Sequence, residues 1–211
     1  MTDILISTEQ LVVGRGGMAL TQPLDLSLAR GTIWQLTGPN GVGKTSLLRV
    51  LAGLLPALLG ELRHGFGGPA ETVRAFDPFW MAQIGWLAVQ PGLKPGPTVA
   101  EHLRRTARLA GLPAVADDAL LARWGLTPLR DRPVQYLSQG QRRRVDLARL
   151  CQQDRPIWVL DEPTVTLDAD ARDALMTALG EHRERGGLTV LASHEVLPLD
   201  DIRMLDLAVA A

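Results

Sequence analysis

Among its 211 residues the chain has a single cysteine, Cys151. That excludes a disulfide framework and any Cys-pair metal or haem-attachment site. Cys151 shares a helical pattern with Val145, Leu147 and Ala148, so a buried structural thiol is expected. Aromatics are scarce, at 4 % against 46 % hydrophobic residues overall, and aliphatic side chains must fill the core. Neither charge sign dominates: 22 basic and 23 acidic residues leave a net charge of −1. A chain so balanced has no general pull toward nucleic acid or anionic lipid. The clusters Arg104/Arg105/Arg108 and Arg142/Arg143/Arg144 therefore read as solvated helix faces. Long apolar runs are missing too. The longest, "LLRVLAGLLPALLG", has fourteen residues and contains Arg49 and Pro56, too short to cross a bilayer. The start "MTDILISTEQ" lacks the basic end and apolar centre of a signal peptide. A soluble chain is expected, with any membrane association made through a partner.

What is present alternates strand and helix. Ile4 to Arg30 alternates apolar and polar residues around "GRGG", as short antiparallel strands with a turn would. "TIWQLT" reads as a buried strand entering "GPNGVGKTS", and Leu47, Leu48, Val50, Leu51 and Leu54 follow at helical spacing. Residues 60–89 look strand-like and end in "IGWLAVQ". Thr98-x-x-Glu101 and Ser138-x-x-Gln141 are capping boxes, each opening a helix. Another helix runs near Asp117 to Trp124 and stops at Gly125. "IWVLDEP" and "LTVLAS" have the continuous apolar character of parallel strands covered on both faces, separated by the helix "DADARDALMTALGEHRERGG". An α/β fold follows, with a parallel-sheet core, a small antiparallel β subdomain and an all-helical subdomain. The core with its β subdomain takes in about residues 1–90 and 141–211, and the helical subdomain about residues 91–140. His64, His102 and His182 fall in helical or turn contexts and read as surface residues.

Gly38-x-x-x-x-Gly43-Lys44-Thr45 has the phosphate-loop spacing. Gly38, Pro39, Asn40, Gly41, Val42, Gly43, Lys44, Thr45 and Ser46 are read as the phosphate cradle, whose glycines let several backbone N–H groups, none of them from Pro39, converge on phosphate. The following helix adds its positive end. Lys44 is placed to reach the β- and γ-phosphates and Thr45 to ligate Mg²⁺. Asp161 and Glu162 end the "IWVL" strand, where ligands of open α/β sheets bind. Asp161 suits a Mg²⁺ ligand, and Glu162 a base that orients and deprotonates water. His194 ends a strand on the same edge and is read as a γ-phosphate and water contact. Gln90 ends "WLAV", within reach of Mg²⁺ or that water. Asp168 is read either as a helix cap or as a contact to a facing subunit.

In this order the motifs resemble those of the ATP-binding-cassette ATPases over nearly the whole chain. "GPNGVGKTS" is similar to their Walker A loop, Gln90 to their Q-loop, "LSQGQ" to their signature, "IWVLDEP" to their Walker B strand, "TLDA" to their D-loop and His194 to their switch histidine. The resemblance implies a P-loop NTPase (RecA-like) core, ATP and Mg²⁺ as ligands, and a homodimer in the ATP state. Ser138, Gly140 and Gln141 of one copy would then face the γ-phosphate held by Lys44 of the other. Two departures are visible. Gln139 stands where the signature usually has glycine. The aromatic that usually stacks on adenine is absent, and Arg15 aligns there, either stacking through its guanidinium or standing as an ordinary turn arginine.

A narrower resemblance joins "GTIWQLTGPNGVGKTSLLRVLAGLLP", "LSQGQRRRVDLARL" and "IGWLAVQPGLKPGPTVAEHL" to the bacterial haem-exporter ATPases of cytochrome c maturation. The chain also ends soon after His194, with no regulatory extension expected. The resemblance implies a peripheral ATPase on the cytoplasmic side of the inner membrane, docked on integral-membrane permease subunits of a haem exporter complex. It implies no nucleic-acid partner, and no direct haem site is evident. A lipid or drug exporter is the alternative, and a soluble ATPase acting on DNA or ribosomes a more distant one.

Overall fold

The structure, a computed structural model, describes residues 3–66, 70–113 and 117–208. It opens with β1 (Ile4–Val12), the hairpin β2 (Gly14–Arg15) and β3 (Met18–Ala19), then β4 (Ser27–Ala29) and β5 (Ile33–Thr37). Helix α1 (Lys44–Leu51) precedes β6 (Leu59–His64) and β7 (Glu71–Thr72). Two short elements come next, α2 (Pro78–Gln83) and β8 (Ile84–Leu87), and after them α3 (Val99–Leu109) and α4 (Asp118–Arg123). The chain closes with α5 (Gln139–Gln153), β9 (Ile157–Asp161), α6 (Ala169–Glu184), β10 (Leu188–Ala192) and β11 (Ile202–Asp206).

Five strands form a parallel sheet in the order β11-β5-β10-β9-β8. An antiparallel sheet, β4-β1-β6-β7, forms the expected β layer. The parallel sheet divides the apolar interior between its faces because strand side chains alternate. Ile157 and Val159 pack with Leu47, Leu48 and Leu51 of α1. Trp158 and Leu160 join Leu147, Leu150, Leu175 and Leu179 of α5 and α6 on the other face. The same alternation carries Asp161 to the α1 face at the end of β9.

Both expected capping boxes are present. Thr98 Oγ1 accepts from the Glu101 amide at 3.2 Å while Glu101 returns to the Thr98 amide at 2.8 Å. Ser138 and Gln141 make the same exchange at 3.2 and 3.0 Å. Each box satisfies amides that a helix start leaves without partners.

The segment 60–89 carries the strands β6, β7 and β8, as its strand-like reading expects, and departs from that reading at one helix. Asp77 caps Phe79 and Trp80, Pro78 stands at the first helical turn, and α2 forms. Its purpose is packing. Trp80 is fully buried, stacks on His64 with ring centroids 5.5 Å apart, and donates from Nε1 to the Leu51 carbonyl at 3.0 Å. One side chain thus joins α2, β6 and the end of α1. A Cβ on Gly53 would lie 2.8 Å from the Trp80 ring, so the glycine makes room for it.

The three histidines read as surface residues are instead buried, at 5 % exposure for His64, 7 % for His102 and 2 % for His182. His182 lies one helical repeat beyond Leu175, Ala178 and Leu179 and so shares their inward stripe. The middle arginine of the "RRR" run is also buried, Arg143 being 1 % exposed, whereas Arg105 and Arg108 are solvated as expected. Cys151 is half-buried, and burial pushes its thiol up to about 11, which makes it an unreactive packing thiol.

Candidate functional site

The site forms where β5 and β9 end. From Thr37 the chain turns through Gly38, Gly41 and Gly43, all with positive φ, at 126, 85 and 111°. Side-chain-bearing residues are strained there, and glycines are not. The loop thereby delivers Lys44 to the start of α1, with no acidic residue in that first turn to oppose an anion. Lys44 Nζ donates to the carbonyls of Gly38 and Pro39 at 2.6 and 3.0 Å. The ammonium is thus held over the loop that spaces it. Val42 donates its amide to Pro39 O at 3.4 Å and packs against the buried cluster around α1, bracing the loop from beneath.

Thr45, one residue on, donates its hydroxyl to Asp161 Oδ1 at 3.3 Å. This contact exists because Asp161 shares the α1 face with Ile157 and Val159. Burial raises the Asp161 carboxyl above its ordinary value, opposed by the Thr45 hydrogen bond and by the Arg49, Arg143 and Lys44 charges. Glu162 extends the ladder by donating its amide to Ala192 at 2.9 Å. It then turns into the left-handed region, with φ 49°, which costs a non-glycine residue roughly 1–3 kcal/mol. The turn aims the carboxylate at His194. Glu162 Oε2 accepts from the His194 amide at 3.4 Å, and Oε1 lies 3.5 Å from His194 Nε2.

These groups line one cavity of about 760 Å³ with Asn40, Gly41, Gly43, Ser46, Arg49 and Val89. Gly14, Arg15 and Gly16 of the β2–β3 hairpin, with Leu20 just after it, line the same cavity. Other expected residues are elsewhere. Gln90 is exposed, and its neighbour Val89 lines the cavity instead. Ser138, Gly140, Gln141 and Asp168 are absent from the cavity wall. Ser138 is exposed at the start of α5. A Cβ on Gly140 would meet the Thr166 carbonyl at 2.7 Å, so the chain's own loop already requires glycine there. Asp168 caps α6 through the Ala171 amide at 3.2 Å and pairs with Arg144 at 3.4 Å. One copy therefore assembles the loop, carboxylates and histidine, and leaves the Ser138 end apart.

Three supporting residues escaped the sequence reading. Gln35, 0 % exposed in β5, donates to the Glu195 carbonyl at 2.7 Å and accepts from the Leu197 amide at 3.2 Å. It thereby holds the loop carrying His194. Its signal was a polar residue inside an apolar strand run. Arg49 enters the wall from α1, one turn after Thr45. Arg143 bonds the backbone at Ala88, Asp161, Glu162 and Pro163. Its signal was the spacing to Leu147 and Leu150, which sets it on the inward face of α5.

The chemistry of this arrangement is that of a nucleotide phosphate site. Thr45 and Asp161 offer a hydroxyl and a carboxylate oxygen, hard donors that suit Mg²⁺. Among the described residues no group of three or more His, Cys, Asp or Glu could hold a metal alone.

Residues 21–165 match the family model for ABC transporters. The chain is 45 % identical to the cytochrome c biogenesis ATP-binding export protein CcmA 2 of Cupriavidus metallidurans, covering 100 % of this chain and 99 % of that protein. It is 41 % identical to the cytochrome c biogenesis ATP-binding export protein CcmA of Rhodobacter capsulatus, over 97 % of this chain and 87 % of that one. Among solved structures, the ATP-binding subunit of an ABC transporter superposes with a TM-score of 0.82 at 22 % identity, covering 96 % of this chain and 85 % of that one. That likeness supports the fold, and the sequence matches reach further. A phosphate loop, a carboxylate pair and a histidine at neighbouring strand ends, with relatives of this identity along the whole chain, leave one conclusion: the chain belongs to the ABC transporter family, as an ATP-binding subunit.

Proposed function

We propose that the chain hydrolyses ATP as a homodimer and drives a haem exporter complex of cytochrome c biogenesis. It docks on integral-membrane permease subunits at the cytoplasmic side of the inner membrane. The observation that carries the chemistry is the convergence of Lys44, Thr45, Asp161, Glu162 and His194 on one cavity. The cargo and membrane partners rest on the names of the full-length relatives, which are cytochrome c biogenesis export proteins. No helix among the described residues is long and apolar enough to cross a membrane, which is in keeping with separate permease subunits.

In this mechanism backbone amides of the 38–46 loop, Pro39 having none, and Lys44 hold the β- and γ-phosphates, with charge supplied by the ammonium and the α1 end. Thr45 and Asp161 would hold Mg²⁺, which would supply charge neutralisation at the phosphates. Glu162 orients a water for in-line attack and accepts its proton, and His194 steadies the carboxylate and the γ-phosphate. Gln90, beside Val89 at the cavity mouth, responds to the γ-phosphate and moves the helical layer that follows it. Ser138 Oγ, the Gly140 amide and the α5 end from the second copy complete the charge clamp. Purification from native membranes with mass spectrometry tests the assignment. Haem-handling permease subunits should co-purify; a lipid or drug permease instead, or no membrane protein at all, contradicts it.

A further inference from the structure

Arg143 lies in the second turn of α5, deep in the molecule at 1 % exposure. A cation so placed is costly unless its donors are used. All its hydrogen-bond acceptors are backbone carbonyls, and they come from two separate segments. Nε donates to Pro163 at 3.3 Å, Nη2 to Asp161 at 3.0 Å and also to Glu162, and Nη1 to Ala88. Burial lowers the pKa of the guanidinium, while Asp146, Asp161 and Glu162 favour its charged form.

The acceptors mark the two places where the hydrolytic geometry is set. Asp161, Glu162 and Pro163 are the turn that puts Glu162 at φ 49° and directs its carboxylate toward His194. Ala88 immediately precedes Val89 of the cavity wall and stands two residues before Gln90. The helix bearing Arg143 begins with the Ser138 end. A planar fork with five fixed N–H donors can span such a set of carbonyls, and a lysine ammonium with three cannot.

We propose that Arg143 is a positioning residue for hydrolysis: it fixes the peptide carbonyls on both sides of the Glu162 turn and ties them to the base of the Gln90 loop. The Glu162 carboxylate is thereby set, and Arg143 acts on hydrolysis through it. The proposal rests on the reading of Glu162 as the group that activates water. A purely structural cross-link would stabilise the fold without acting through that carboxylate.

The test is a double-mutant cycle of Arg143→Met and Glu162→Gln, read by hydrolysis of radiolabelled ATP and by ATP affinity. Arg143→Met alone should lower kcat on the order of 10–10²-fold with KM held within about twofold. In the Glu162→Gln background it should change the residual turnover by less than about twofold. Arg143→Lys keeps the charge with fewer donors, should fold, and should fall between Met and wild type; it carries the same cycle if Arg143→Met does not fold. An equal loss in both backgrounds, or a loss of ATP affinity with kcat intact, overturns the proposal. Wild-type turnover by Glu162→Gln overturns the reading of Glu162 itself, and this proposal with it.

Discussion

The two ends of β9 and β10 treat their polar groups in opposite ways. Near the beginning of the strands, His182 stacks on Trp158 with centroids 4.0 Å apart. One ring nitrogen lies 3.1 Å from Thr189 Oγ1 and the other 3.0 Å from the Arg155 carbonyl. Both nitrogens are satisfied inside the protein. At the opposite end, His194 is 62 % exposed in its side chain and shares a cavity wall with Asp161 and Glu162. One histidine is construction, and the other is left facing a space. The difference teaches where chemistry belongs in this fold: polar groups closed on each other hold the sheet together, and polar groups turned toward the cavity act on what enters it.

The sharpest break in that comparison should come at Glu162. Glu162→Gln should slow hydrolysis by a factor on the order of 10²–10⁴ while ATP still binds and an ATP-held dimer accumulates on gel filtration. A variant that stays monomeric at saturating ATP contradicts the dimeric site.

The opposite end should answer to pH through stability. Burial lowers His182 from 6.5 to about 4, so on acidification the unfolded chain takes up this proton first. Its contribution is fully present above the ordinary value of 6.5 and is lost as pH falls toward about 4. Between about pH 7.5 and pH 5 the loss is about 2 kcal/mol. Urea titrations should show that dependence in the wild type and a flatter one in His182→Gln. Equal pH dependence in both proteins would remove His182 from the account.

A smaller effect separates the two readings of Arg15. If its guanidinium stacks on adenine, Arg15→Ala should weaken ATP binding roughly tenfold, about 1.4 kcal/mol. Unchanged affinity leaves an ordinary turn arginine that happens to line the cavity.

The parts legible in the sequence are those specified by neighbours in the chain. Gly38 to Thr45, the Asp161–Glu162 pair and both capping boxes are local, and the structure brings the first two groups to one edge. The helix α2 was hidden because its six residues lie in a segment rich in glycine and tryptophan. Arg143, Gln35 and His182 were misread or passed over because polarity suggests exposure, whereas tertiary partners decided their burial. In each case a carbonyl, amide or hydroxyl from elsewhere in the chain satisfies the polar atoms, and composition cannot locate such a partner. β11, at the sheet edge, has mostly exposed side chains and hence little apolar signal.

The geometry leaves the Ser138 end outside the cavity that holds Lys44, and in the proposed dimer each copy would supply half of two sites. Mixing Lys44→Ala protein with Ser138→Arg protein tests this most directly. Each alone should be inactive. Random pairing gives heterodimers with one intact site, and turnover should return to about a quarter of wild type. A mixture as inactive as its components would contradict the account, as would full turnover by Ser138→Arg alone.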